Sequence, residues 1–187
     1  MHTMSSFLLV TLFTIFSTFL FSIDGVLIRQ FFKADQKKEE ETSHLHFFFH
    51  DILSGKTPSA VRIIGGPNSS LSSFGSTLMI DDALTEKQDP TSKIIGRAQG
   101  FYSVAAQQEI ALLMVMSFQF VEGQYKGSSI SILGRNPVMN DVREMPIVGG
   151  TGLFRFARGY VLAHTVWFDA NTGDAIVEYN VYVSQTS

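Results

Sequence analysis

Asp51, Tyr102 and Arg143 are the side chains best suited to proton transfer and to holding an oxyanion. Asp51 closes a run in which Leu45, Phe47 and Phe49 share its parity, so on an extended chain all four lie on one face. A carboxyl group among aromatic rings is desolvated, which raises its pKa and suits it to donate or shuttle a proton. A carboxylate that caps a turn at a strand end is the competing reading. Tyr102 ends the segment Gly96-Arg97-Ala98-Gln99-Gly100-Phe101-Tyr102. Its hydroxyl suits a phenolic ligand, or a core position where the hydroxyl is satisfied elsewhere. Arg143 stands before Glu144 at the entry to an apolar strand. A guanidinium at a pocket rim holds a phenolate or a developing oxyanion, whereas a surface pair with Glu144 contributes little.

Other chemistries fit less well. His44, His46 and His50 invite a metal reading, but their spread along an extended strand is too great for one ion without further ligands. No metal and no cofactor is therefore expected. The chain has no cysteine, so disulfides and thiolate chemistry are excluded, and no Gly-x-Ser-x-Gly elbow is present. A formal net charge of -3 leaves no electrostatic footprint for nucleic acid. Gly149, Gly150 and Gly152 are followed by strand residues rather than a helix, which argues against a phosphate loop.

Strands must position these groups. His44 to Asp51, Ser73 to Asp82, Ile94 to Val104, Leu112 to Val121, Ser128 to Leu133, Arg155 to Phe168 and Ile176 to Val183 read as extended segments. A short apolar strand after Arg143 joins them. The three glycines then form the reversal into a strand carrying Phe154, Arg155, Phe156 and Arg158, whose arginines have a structural role. Ala105 to Met116 has helical propensity, but its length and neighbours favour a long hairpin. Seven to eight strands in about 140 residues without crossover helices predict an antiparallel barrel or sandwich.

The ends are different in kind. Residues 1–22 carry no Lys, Arg, Asp or Glu and read as a signal peptide, with an uncleaved anchor as the alternative. Residues 23–43, with the charge cluster from Lys33 to Glu41, read as a solvated linker to a domain spanning residues 44–187. Export would make Asn68-Ser69-Ser70 a glycosylation acceptor.

Taken together, Phe49-His50-Asp51-Ile52, the Gly96 to Tyr102 segment, Gly134-Arg135-Asn136-Pro137 and the stretch from Arg143 to Tyr160 resemble the plant dirigent proteins. The likeness extends from Leu45 to Val183. It implies a secreted, apoplastic, eight-stranded antiparallel β-barrel similar to allene oxide cyclase in fold. It also implies a homo-oligomer, with a trimer favoured and a dimer possible. Such proteins take a small phenolic radical or quinone methide, supplied through a separate oxidase or reductase, and control the stereochemistry of coupling or ring closure.

On this resemblance Asp51, Arg143 and Tyr102 match the family's pocket groups, with Phe47, Phe49 and Asn136 as substrate-binding candidates. The family's second pocket aspartate falls on Asn136, and a second tyrosine on Val104. Asn136 cannot act as an acid. The Gly-Arg-Asn sequence resembles the branch that includes pterocarpan synthases, which dehydrate an isoflavanol through a quinone methide. Lignan-type radical coupling, a non-catalytic phenolic-binding wall or defence protein, and a lipid-carrying or cyclase barrel are the alternatives.

Overall fold

Alternation at period two dictates the architecture, because each strand has one apolar face to bury. A computed structural model describes residues 40–67 and 70–186. The expected signal peptide, most of the linker and the glycosylation candidate Asn68 lie outside the described residues. The strands are β1 (Glu40–Asp51), β2 (Ala60–Ile64), β3 (Thr77–Thr85), β4 (Ile94–Val104), β5 (Leu112–Phe120), β6 (Ser129–Asn136), β7 (Val142–Thr151), β8 (Arg158–Phe168) and β9 (Ala175–Thr186).

All neighbours pair antiparallel in the order β1-β9-β8-β7-β6-β5-β4-β3-β2, and a β1–β3 pairing closes the sheet. Eight strands thus form a barrel, with β2 added along β3. The closure is shared. β1 covers one end of β3 through Phe48↔Thr85, Phe49↔Leu84 and His50↔Ala83. β2 covers the other through Ala60↔Ile80 and Val61↔Met79. Between them the chain makes an excursion through residues 52–59.

Four boundaries differ from the sequence reading for physical reasons; one is β3, which starts at Thr77 and runs past Asp82 to Thr85 because its ladder with β4 continues there. β1 begins at Glu40, inside the charge cluster, because Glu40 to Ser43 find ladder partners in Thr186 to Val183. β2 is a short edge strand whose last four residues are exposed, so it lacks the buried alternation that marks a strand. The glycine stretch is also partitioned differently. Gly149 and Gly150 lie within β7, and the reversal is made by residues 152–157, which include a 3₁₀ turn at Gly152–Phe154. Gly150 serves close approach, since a Cβ there would stand 2.4 Å from the Ser129 carbonyl oxygen. Gly152, at φ +61°, makes the turn. Phe154, Arg155 and Phe156 therefore belong to the reversal rather than to β8.

Aromatic rings fill much of the interior. Phe47 meets Phe118 edge to face at 5.1 Å, and Phe118 meets Tyr179 at 5.2 Å. A second group, Phe120, Tyr125 and Phe154, packs at the opposite end from Tyr102, with Tyr125 and Phe154 centroids 4.8 Å apart. One end of the barrel is thereby filled, and the cavity lies at the other.

Candidate active site

The ends of β1, β4 and β6 and the start of β7 converge on the unfilled end of the barrel. They place Asp51, Tyr102, Asn136 and Arg143 on the wall of one cavity of about 470 Å³. Its remaining lining is mostly apolar and includes Phe49, Leu78, Met114, Val138, Phe168 and Val177, with Tyr179 among the polar exceptions. Phe47 is not on this wall. It is fully buried against Phe118 and Tyr179 behind the cavity, so it shapes the lining without reaching it. Phe49, two residues nearer the strand end, does line the cavity.

Tyr102 donates its hydroxyl to Asp51 Oδ2 at 2.8 Å, while Asp51 Oδ1 is buried without a hydrogen-bond partner among the described residues. Burial, with a smaller push from the Asp174 charge, raises the Asp51 pKa to about 7 against the opposing hydrogen bond from Tyr102. Asp51 is therefore a carboxyl group able to hold and release a proton near neutrality. Burial first, then the adjacent Asp51 carboxylate, pushes the Tyr102 hydroxyl well above its ordinary range, so it stays a neutral donor.

Arg143 is 3% exposed, yet no salt bridge to it forms among the described residues. Its Nε donates to Asn136 Oδ1 at 3.1 Å, and Nη1 reaches the Asn140 and Asp141 carbonyl oxygens at 3.5 and 3.4 Å. Glu144 points the other way along β7, as the alternating burial of that strand requires, so the surface-pair reading of Arg143 does not hold. Burial lowers the Arg143 pKa, opposed by Tyr179 and Asp141, but a guanidinium remains charged. A buried cation held by neutral acceptors has charge left to offer an anionic group.

Two contributors escaped the sequence reading. Asp174, just before β9, accepts the Leu53 and Ser54 backbone N–H groups at 2.8 and 3.0 Å and ties down the cavity rim. Asp82 on β3 is fully buried, and neither of its carboxylate oxygens has a hydrogen-bond partner among the described residues. Burial, then the Asp51 charge, raises its pKa to about 8. The signal for it was parity: Leu78, Ile80, Asp82 and Leu84 all point inward.

The histidines are otherwise engaged. His44, His46 and His50 bond through Nε2 to Asn180, Glu178 and Thr85 at 2.9, 2.7 and 2.7 Å. Among the described residues no group of three His, Asp or Glu side chains could hold a metal ion.

The two raised aspartates predict a stability profile. An unfolded aspartate titrates at about 3.9. Between there and about 7 to 8 the unfolded chain has released protons that the folded barrel still holds. Stability from this source is thus complete below about pH 4 and lost as pH rises through the folded values. Thermal melting should give a higher Tm at pH 5.5 than at pH 8.5. Equal values would remove the case for buried, protonated carboxyls.

The molecule is an antiparallel barrel whose interior holds an apolar cavity of the size of a small molecule, with a few convergent polar groups. The chain belongs to the dirigent family, whose model, described as dirigent-like protein, matches residues 42–184. It is 52% identical to dirigent protein 23 of Arabidopsis thaliana over 153 residues, covering 81% of this chain and 82% of that one. It is 50% identical to pterocarpan synthase 1 of Glycine max, covering 79% and 81%. A solved structure of the pterocarpan synthase dirigent protein GePTS1 superposes with a TM-score of 0.77 at 46% identity, covering 80% of this chain and 93% of that one.

Proposed function

We propose that the protein is a dirigent dehydratase that needs no cofactor and closes a ring in a small phenol bearing a benzylic hydroxyl, an isoflavanol giving a pterocarpan. The observation that carries this reading is a proton-holding carboxyl, Asp51, in the same apolar cavity as the buried guanidinium of Arg143, which is held by neutral acceptors. The likeness to pterocarpan synthases supports it.

The substrate's phenol binds as phenolate against Arg143 after giving its proton to water. Electron density pushed from that oxygen expels the benzylic hydroxyl, which takes the Asp51 proton and leaves as water. The quinone methide so formed keeps its oxygen on Arg143, where charge returns in the next step. A second phenolic hydroxyl of the same molecule then bonds to the benzylic carbon and gives its proton to the Asp51 carboxylate. The acid is restored, the product phenolate takes back a proton from water, and the net change is loss of one water. Apolar walls keep outside water from trapping the intermediate, and a fixed pose lets the second oxygen reach one face only.

The test is to supply racemic isoflavanol, and separately coniferyl alcohol with an oxidase. Pterocarpan formed with enantiomeric excess supports dehydration. An effect confined to lignan chirality assigns the protein to radical coupling instead. No effect on either leaves a phenolic-binding role.

Secretion to the apoplast, glycosylation at Asn68 and self-association belong to the same reading. Self-association is supported by an outward row that crosses five strands, Val61-Met79-Phe101-Val115-Leu133, paired residue to residue. Val61, Met79 and Leu133 in it are 47%, 42% and 45% exposed. A contiguous apolar strip of this kind marks a contact surface. Sedimentation should give a trimer, and Met79→Glu should yield monomers. A wild-type monomer at micromolar concentration would contradict the proposal.

A further inference from the structure

Asp82 has no part in the chemistry above, yet its position is unusual for a carboxyl group. It is 0% exposed, and both of its oxygens lack a hydrogen-bond partner among the described residues. The β1–β3 ladder ends at His50↔Ala83, and the β2–β3 ladder begins at Ala60↔Ile80. The break between them is spanned by one backbone hydrogen bond, from Asp81 N–H to the Ser59 carbonyl at 2.9 Å. Asp51 and Asp82 are the next residues in line where the first ladder ends. Both point inward, Asp51 with Phe47 and Phe49, Asp82 with Ile80 and Leu84. On the Asp51 side, Oδ2 is engaged by Tyr102 and Oδ1 is buried and unengaged.

A buried carboxylate offset only by the Ser59 hydroxyl and the distant charge of Arg97 does not persist as an anion. Two side by side cannot both be ionised without strong repulsion, and a proton held between them relieves it. We propose that Asp82 is a positioning residue that forms a proton-sharing pair with Asp51 inside the barrel, and so sets the protonation of the acid that faces the cavity. Its part in the reaction rests on the dehydratase reading; the pairing itself does not.

The proton count closes. With both carboxyls protonated, Asp51 gives one proton to the departing hydroxyl. The remaining proton is then shared by the two carboxyls. The second phenol's proton restores the starting state at ring closure. No outside acid or base is consumed.

Other groups bear on the pair from each packed element. Tyr102 on β4 donates to Asp51, and the Asp174 charge at the rim raises it. Ser59 and Arg97 lower Asp82, while its neighbour Asp81 raises it. Tyr179 on β9 feels both charges, and its own pKa is raised, chiefly by burial, so it stays neutral. Arg97 is committed on the outer face to Asp81, so its charge reaches Asp82 only from outside the barrel.

The pair is tested without substrate by carbon NMR of protein labelled at the aspartate carboxyls, titrated as wild type, Asp82→Asn and Asp51→Asn. Sharing predicts two successive steps in wild type. The upper step should lie at least about one pH unit above the single step left in either variant, a tenfold change in proton affinity. Variant steps that superimpose on the wild-type ones overturn the proposal, whatever the activity. Either variant alone suffices should the other not fold. In turnover, Asp82→Asn should displace the alkaline limb of the pH–rate profile, with less than about a threefold change at pH 5.5. A uniform loss at all pH values would show a merely structural role and overturn it too. Failure of the dehydratase reading shows differently: coupled titration persists, but no benzylic alcohol is consumed.

Discussion

Replacing Asp51 with Asn is expected to lower kcat by about 10²–10⁴-fold, the range typical of losing a positioned general acid. Asparagine has the same shape, and its side-chain oxygen accepts the Tyr102 hydroxyl as Asp51 Oδ2 does at 2.8 Å. The cavity and the Arg143 contact are untouched, so KM should change little. A loss in kcat and kcat/KM together marks an interaction made only in the transition state. The substitution also removes a buried ionisable group, so the variant should melt no lower than wild type at pH 8. Steady-state kinetics and melting on the same preparation separate the cases. Full activity would show that Asp51 is not the acid. A rise in KM alone would make it a binding group.

Phe118→Ala carries the largest expected effect on the fold. Phe118 is fully buried and meets both Phe47 and Tyr179 edge to face, at 5.1 and 5.2 Å. Truncating such a ring in a packed core costs about 3–5 kcal/mol, because the transfer energy is lost and a cavity remains. For a domain of this size that is a fall in Tm of roughly 6–20 °C. The consequence reaches the site, since Tyr179 lines the cavity that Phe118 supports. Product enantiomeric excess should therefore fall at temperatures where the variant is still folded. Urea unfolding would check the size of the effect; a change below about 1 kcal/mol would mean that the barrel repacks freely around the gap.

How much of this could be read from the chain depends on how local the signal is. The alternation in His44 to Asp51 and in Ile176 to Val183 marks strands directly, and the two prove to be ladder partners. Placing Asp51, Tyr102, Asn136 and Arg143 together required the family resemblance, because they come from four strands and only barrel closure unites them. Asp82 shows the limit most clearly. With the strand read as ending at Asp82, an Asp-Asp pair resembles turn chemistry. In the barrel β3 continues to Thr85, and parity turns Asp82 into the core. That it falls in line with Asp51, one step past His50↔Ala83, is a consequence of register, which no local pattern carries. Phe47 illustrates the reverse: parity put it on the inward face correctly, but depth along the barrel axis decides lining from core. The glycine stretch misled because each glycine answers a different need, close approach at Gly150 and a left-handed turn at Gly152.

The central claim is that the Asp51–Arg143 cavity dehydrates a phenolic benzylic alcohol and closes one face of the intermediate. Chiral chromatography of the product from racemic isoflavanol and purified protein, with no cofactor added, tests it most directly. The account predicts pterocarpan formed faster than in buffer, with one enantiomer in excess, and both effects lost in Asp51→Asn. Racemic product at the buffer rate, from protein shown to be folded, would contradict it.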